Sequence, residues 1–441
     1  MRVTTSYRTK IVGYSNIFSE TISIYRKALA YLIDVVDAEW DFVKNLKSAK
    51  SKMSYIEKMV HNTARNIAKY DFDKQFYKLP SYYRRAVINK AVGIVSSFRS
   101  NYENWEANGK KGMPPKLQTK HFSFPTMYKD NMFLRDSDYT ARVKIYHNND
   151  WVWLNISLRK SDVDYIQRHK LNIKESAPTL EKRGKCWFLR FAYEEKRELY
   201  KNIDIITAVD LGINNAATCS ALLSDGTVIG RKIFNFPIEK DRIDNILEQI
   251  KEAQRKGAKK MPRLWSFANN YNRTLSEKTA NAIIEFALRH GSKAIVFENL
   301  SGMKGKKRGS KKQKLHLWRK QSVIALVTTK AHLHCMRIST VCAWKTSRLA
   351  FDGTGAVIRG KYIQNGKECT NYSISVFSTG KIYHADLNAS YNIGARYFIR
   401  EHFKKLTEQK ILAVQAIVPA LAKRTTCTLN DLISLVVELA A

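Results

Sequence analysis

The sequence predicts a multidomain α+β protein. Its C-terminal half reads as a mixed α/β core, and its N-terminal half as a small β-barrel interrupted by a helical insert. Three observations carry this expectation. Residues 205–236, IITAVDLGINNAATCSALLSDGTVIGRKIFNF, read as three consecutive strands, two of them joined by a hairpin at Ser224, Asp225 and Gly226. Residues 140–196 hold runs that alternate with period two and are rich in β-branched and aromatic side chains. Residues 17–106 carry apolar side chains at three- and four-residue spacing.

In chain order, residues 5–14 form a strand-like piece that supplies the first strand of the barrel. The helical pattern then starts at Ile17, with a second helix expected over 54–70 and a third after Pro80, running through Arg84, Arg85, Val92, Val95 and Phe98. Gly109, Gly112, Pro114 and Pro115 mark a loop. The runs TARVKIYH, DWVWLNISL and GKCWFLRFAYEE continue the barrel. After the three strands of 205–236 comes a charged helix over 237–260. A long amphipathic helix through Leu275, Thr279, Ile283 and Phe286 stops at Gly291 and leads into the strand 294–297, a helix–strand unit suited to a mixed sheet. His290 reads as helix-end polarity. Residues 315–335 read as a helix whose HLHC segment has no metal-ligand spacing. The tail carries two apolar helical runs, 411–421 and 429–439, the second capped by Thr428 or Asn430. Packing on the core and dimerisation both remain open for it, so monomer and homodimer stay undecided.

Three acids stand at element ends. Asp210 closes a strand that reads as buried on both faces, Glu298 follows a short apolar strand, and Asp386 opens a helix-like run. Taken singly, each is the kind of acid that caps a helix or ends a strand. Together they form a set of hard oxygen donors suited to Mg²⁺ or Mn²⁺, and a buried acid is costly unless something positive meets it.

Composition points to a polyanionic partner. Among 441 residues there are 76 Lys and Arg against 39 Asp and Glu, a formal charge of +37. That excess is far beyond what solubility requires and implies nucleic acid over a long footprint. The charge is most one-sided after Glu298, where no acid occurs from Asn299 to Phe351. There the glycine-bearing stretch with Lys304, Lys306, Lys307, Arg308, Lys311 and Lys312 suits phosphate binding beside a metal site. Arg84 and Arg85 in the helical insert are further candidates for a nucleic-acid backbone. No apolar run is long enough for a transmembrane helix, and the N-terminus lacks the apolar core of a signal peptide. Six cysteines without a CxxC fit free thiols in a reducing compartment. A cytoplasmic, nucleoid-associated location without a membrane partner is expected.

Asp210 in VDLGINNAAT, Glu298 in FENLSG and Asp386 in ADLNASYNIGARY resemble the three motifs of a RuvC-like nuclease, in the version of TnpB-type transposon-encoded RNA-guided nucleases and miniature type V CRISPR effectors. The motif match covers roughly residues 205–398. Weaker likenesses lie at 79–105, to the helical segment of those proteins, and at 112–117, to the Pro-containing entry of their barrel. The resemblance implies a wedge-type barrel over 1–16 and 107–203, with a helical recognition lobe over 17–106 inserted in it. It implies an RNase-H-like (RuvC) nuclease over 204–341 and 385–403, a target-binding hairpin over 342–384 and a helical tail over 404–441. It implies a guide RNA (an omega RNA, or a crRNA with tracrRNA), target double-stranded DNA, and two Mg²⁺ or Mn²⁺ ions held by Asp210, Glu298 and Asp386, with Asp210 bridging both.

One stretch departs from that pattern. The relatives carry Ser-Arg and then two Cys-x-x-Cys pairs that build a zinc ribbon. Here Ser347 and Arg348 are present, but Ala350 and Gly353 stand at the first pair, and Val376 and Thr379 at the second. Cys342 and Cys369 cannot supply a four-thiolate site, so no structural zinc is expected. Phe351, Val357, Tyr372, Ile374 and Phe377 are expected to hold the hairpin instead, and the resemblance implies that Arg348 approaches the scissile phosphate. The expected activity is RNA-guided DNA cleavage beside a short flanking motif. The competing expectations are a guided repressor that no longer cuts and an RNase-H-like transposase.

Overall fold

A computed structural model describes residues 1–14, 16–170, 173–300, 320–364, 366–417 and 425–438. The contacts divide the chain into two compact units, Arg2–Glu195 and Lys196–Ala441, the second including Met1. No described helix is long and apolar enough to cross a membrane.

The first unit holds β1 (Arg2–Val12), β2 (Phe133–Arg135), β3 (Thr140–His147), β4 (Asp150–Leu158), β5 (Thr179–Arg183) and β6 (Cys186–Lys196), in the order β2-β3-β4-β1-β6-β5. Alternation explains the strands. Trp187, Leu189, Phe191 and Tyr193 of β6 are buried at every second position. Asn148 and Asn149, with φ of 51° and 61°, close β3 onto β4, with His147 paired to Asp150. Two central residues at positive φ match the twist of a two-residue hairpin.

The expected closed barrel is not found. The sheet has two ends, β2 and β5, and no ladder joins them among the described residues. With three residues, β2 is too short to carry the ladder round. Residues 125–127 run beside β5 instead: Met127 N donates to Pro178 O (2.7 Å) and Leu180 N to Pro125 O (3.1 Å). A helix missed by the period-two pattern, Lys160–Lys170, lies between β4 and β5.

The helices of this unit include Ser19–Ala38, Ala49–Val60 and Ser81–Ala107. The second begins earlier than expected because Ser48 and Ser51 form a reciprocal capping box. It also ends earlier: His61 is extended, and the Asn66 amide donates to Lys58 O and His61 O. These helices share one core with the sheet. Tyr83 Oη donates to Lys144 O (2.7 Å), and Tyr146 N donates to the Thr21 hydroxyl (2.9 Å).

The second unit is built on β7 (Ile205–Asp210), β8 (Ala217–Leu223), β9 (Val228–Phe234), β10 (Ala294–Asn299) and β11 (Arg337–Cys342), in the order β11-β10-β7-β8-β9. β7, β8 and β9 are antiparallel neighbours, whereas β10 runs parallel to both β7 and β11. The helices Pro237–Arg255 and Pro262–Arg289 lead into β10, and Lys320–Leu333 connects β10 to β11, as parallel pairing requires. One face of the sheet packs Val209, Cys219, Ile295 and Phe297 against Ile283, Phe286 and Val327. The other packs Ile206, Ala208, Leu222 and Val296 against Ile393 and Phe398 of the helix Ala385–Phe403.

The insert after β11 is a hairpin of β12 (Ile358–Gln364) and β13 (Lys367–Val376), with β14 (Ile382–His384) as a third strand. Phe351, Phe377, Tyr383 and Tyr391 cluster at its base at centroid distances of 5.1–6.3 Å, Phe351 edge to face with Phe377 and Tyr391 and the other two pairs tilted. Tyr372, expected to hold the hairpin, is 68% exposed instead. Ala350, at one of the vanished cysteine positions, is fully buried, and Gly353 packs against Cys427. In the tail, Val414 of Glu408–Ile417 and Leu429 and Leu432 of Thr426–Glu438 join the core of this unit. Thr425, not Thr428 or Asn430, caps the last helix. Its hydroxyl accepts from Thr428 N (3.4 Å), while Thr425 N donates to the Thr428 hydroxyl (3.3 Å).

Helix and sheet meet closely at Gly394, where an added Cβ would lie 2.8 Å from both terminal carbons of Leu222. Gly394→Ala is expected to destabilise the chain by about 1–3 kcal/mol, measured as a lower urea midpoint. Adding Leu222→Ala should return part of the loss. A Gly394→Ala protein as stable as wild type would contradict this packing.

Candidate active site

Period two decides which acids meet. On β7, Ile206 and Ala208 face the helix Ala385–Phe403, and Asp210 is next on that face. On β10, Ala294 and Val296 share the face, and Glu298 is next. Phe297 pairs with Val209 in the parallel ladder, so Glu298 and Asp210 end adjacent strands at the same level. The covering helix brings Asp386 in its first turn. Three carboxylates thus come to one end of one sheet face.

Each acid is held differently. The turn after Asp210 is tight: an added Cβ at Gly212 would lie 2.8 Å from Asn215 O. It returns Asn215, whose Nδ2 donates to Asp386 Oδ2 (2.8 Å). Thr346 donates its hydroxyl to Glu298 Oε1. Asp386 N donates to Nδ1 of the cap residue His384 (3.2 Å). Arg359 Nη2 lies 4.0 Å from Asp386 Oδ1.

The electrostatics record the crowding. Burial, and then the charges of Glu298 and Asp386, push the Asp210 carboxyl well above the usual range, opposed by Arg359. Burial raises Glu298 as well, opposed by the Thr346 hydrogen bond and by Arg396. Negative charge is therefore under-compensated at this point. Carboxylate oxygens are hard donors, the chemistry that Mg²⁺ and Mn²⁺ take. Among the described residues, no group of three or more His, Cys, Asp or Glu side chains is placed so that it could hold a metal ion.

One helix organises the surroundings. Asn388, Asn392, Arg396 and Arg400 recur every fourth residue along Ala385–Phe403. Asn388 Nδ2 donates to Leu349 O, and its Oδ1 accepts from Phe351 N. Asn392 Nδ2 donates to Thr346 O and Leu349 O. Arg396 Nη1 donates to Cys342 O (2.6 Å) and Arg400 Nη1 to Thr340 O (2.9 Å). This ladder fixes the loop 342–351, which delivers Thr346 to Glu298.

A family model described as the Aq_aa04 family matches residues 4–147. The TnpB-like protein aq_aa05 of Aquifex aeolicus (strain VF5) is 26% identical over 162 residues, covering 32% of this chain and 53% of that protein. Over that stretch the chain is similar to a TnpB-like protein. It spans about half the length of this curated relative. Among solved structures, the Cas12f1-sgRNA-target DNA complex matches with a TM-score of 0.52 at 13% identity, covering 86% of this chain and 81% of that one. The mini-RNA-guided endonuclease CRISPR-Cas_phi3 follows at a TM-score of 0.43 and 11% identity, covering 90% and 92%. The match to Cas12f1 shows a likeness of fold, a mixed α+β architecture.

Other expected site residues fall elsewhere. Arg348 is exposed, and among the described residues its side chain makes no hydrogen bond or ion pair with the three acids. Arg84 is buried and bridges Glu57 and Asp73, so its charge is committed inside the first unit. Arg85 shares Glu57 and lies over the Tyr82 ring. Lys304, Lys306, Lys307, Arg308, Lys311 and Lys312 lie outside the described residues. Asn215, Thr346 and Arg359 were not singled out from the sequence. Asn215 had a signal, its place in the LGINN turn after Asp210. Thr346 and Arg359 are brought in by the long insert and have none.

The raised carboxyl of Asp210 carries a stability consequence. Its contribution to folding is fully present below the ordinary aspartate pKa and is lost as pH rises through the higher folded value. Asp210→Asn is therefore expected to stabilise the protein in EDTA near neutral pH, on the order of 1 kcal/mol, measured as a higher melting midpoint. The gain should vanish at about pH 4. Equal or lower stability near neutral pH would contradict the crowding.

Proposed function

We propose that this protein is an RNA-guided DNA endonuclease, cutting target DNA beside a short flanking motif from a single RuvC-like site. The observation that carries this is the arrival of Asp210, Glu298 and Asp386 at one end of one sheet face, at the positions where the sequence resembles the RuvC motifs. The similarity to a TnpB-like protein and the fold likeness to Cas12f1 support it. Cas12f1 was solved in complex with sgRNA and target DNA, and the +37 charge of this chain suits such partners.

Asp210, Glu298 and Asp386 would hold two Mg²⁺ or Mn²⁺ ions, with Asp210 shared. Bound there, such ions activate water and stabilise the leaving oxygen in phosphodiester hydrolysis. The chain's own part is positional. Asn215 orients Asp386, and Thr346 orients Glu298 by donating to its carboxylate. The Asn388-to-Arg400 ladder keeps loop 342–351 in place so that Thr346 stays at Glu298. In this reading residues 1–16 and 107–203 act as the wedge, 17–106 as the recognition lobe, 204–341 with 385–403 as the nuclease, and 342–384 as a target-binding insert. The basic stretch 304–312 and exposed Arg348 would meet the nucleic-acid backbone.

The test is cleavage of a matched target by the protein purified with the RNA encoded beside it, in Mg²⁺. Wild type should cut, and EDTA should stop it. Asp210→Ala should lower the rate by at least about 10³-fold while leaving target binding within a few-fold. Guided binding by a wild-type protein that never cuts would instead identify a repressor. DNA processing without any RNA requirement would identify a transposase.

A further inference from the structure

Arg359 is delivered to the acids by an irregular hairpin. From Gln364 to Gly360, β12 pairs with β13 in regular register, Gly360 opposite Asn371. The register then shifts, and Arg359 lies opposite Ser375. Gly360 has φ +94°, and an added Cβ there would lie 2.8 Å from the Tyr372 ring. Asn371 Oδ1 accepts from Ser373 N (2.9 Å) and supports the extra residues. Bulges beside active sites commonly re-aim one side chain. Here the bulge's own carbonyl, Tyr372 O, accepts from Arg359 Nη2 (2.8 Å), which brings the guanidinium to Asp386.

Arg359 partly offsets the acids' charge from a distance, but its guanidinium is not closed onto them. A counter-ion would fork onto the carboxylate at hydrogen-bond distance. Arg359 Nη2 instead stands 4.0 Å from Asp386 Oδ1, beyond that range. Its Nε is buried and has no partner among the described residues. A buried donor left unpaired is costly unless a ligand accepts from it. The guanidinium fork matches phosphate oxygens, and the three acids beside it mark where a phosphodiester would sit.

We propose that Arg359 binds the scissile phosphate. It would hold the place that the sequence resemblance assigned to Arg348, so a hairpin without cysteine pairs contributes directly to the site. The inference rests on the nuclease reading above.

The experiment compares Arg359→Ala, Arg359→Lys and Arg348→Ala in the full chain with its RNA. In single-turnover cleavage with Mg²⁺, Arg359→Ala should be slower by about 10²–10³-fold. Arg359→Lys should recover only part, because it lacks the fork, and Arg348→Ala should lose less than about tenfold. Guanidinium ion in the buffer should partly rescue Arg359→Ala and not Arg348→Ala. A second readout involves no turnover: binding of a short single-stranded DNA oligonucleotide to the RNA-free protein, with Ca²⁺ in place of Mg²⁺. Arg359→Ala should weaken it by about tenfold more than Arg348→Ala does. If wild type cleaves and Arg359→Ala cleaves equally well, this inference fails and the nuclease reading stands. If wild type does not cleave but Arg359 governs oligonucleotide binding, the nuclease reading fails and the phosphate site stands. Loss of cleavage without guanidinium rescue and without weaker oligonucleotide binding would reduce Arg359 to a structural role and overturn the inference.

Discussion

The second unit depends on the hydrogen bonds that one helix sends into the end of β11 and the loop that follows it. Asn388, Asn392, Arg396 and Arg400 lie four residues apart and donate to carbonyls between Thr340 and Leu349. Buried backbone outside a helix or sheet must find partners, or each orphan group costs about 1–3 kcal/mol. The ladder supplies them, so loop 342–351 needs no secondary structure of its own. The same helix presses Gly394 onto Leu222, carries Asp386 in its first turn and receives the tail through Leu429 and Leu432. One element thereby fixes an acid, the loop that supports a second acid, and the sheet face on which both strand-end acids emerge.

Such an arrangement concentrates charge that folding alone would avoid. Asp210 is pushed toward its neutral form by burial and by its two neighbours. Thr346 and Arg396 offset the charge at Glu298, and Arg359 offsets it at Asp210. Stability set aside at a site in this way is common where a ligand restores it. In the proposed reading, that ligand is a divalent cation, since carboxylate oxygens are the hard donors such ions take.

Much of the site was legible in the sequence because period two is a strong constraint. Ile206, Ala208 and Asp210, and Ala294, Val296 and Glu298, announce a shared face, and Asp386 announces the start of a helix. Local chemistry misled in other places. Arg84 looked like a surface cation, but its partners Glu57 and Asp73 lie 27 and 11 residues away in sequence and meet it only in the folded bundle. Tyr372 was expected to help hold the hairpin, yet it lies beside the register shift at Arg359 and Gly360 and is exposed. Thr346 and Arg359 depend on the path of an insert, and bulge position and loop trajectory follow from tertiary contacts. The N-terminal sheet kept its strands, but no ladder joins its end strands β2 and β5 among the described residues.

The most direct measurement is a Mn²⁺ titration of the RNA-free protein followed by electron paramagnetic resonance, with Asp386→Asn alongside wild type. Three carboxylates that form one bimetal site should give wild type about two tight Mn²⁺ per chain, with at least one lost in the variant. Identical binding in both proteins, or none in wild type, would contradict the proposal that Asp210, Glu298 and Asp386 hold metal together.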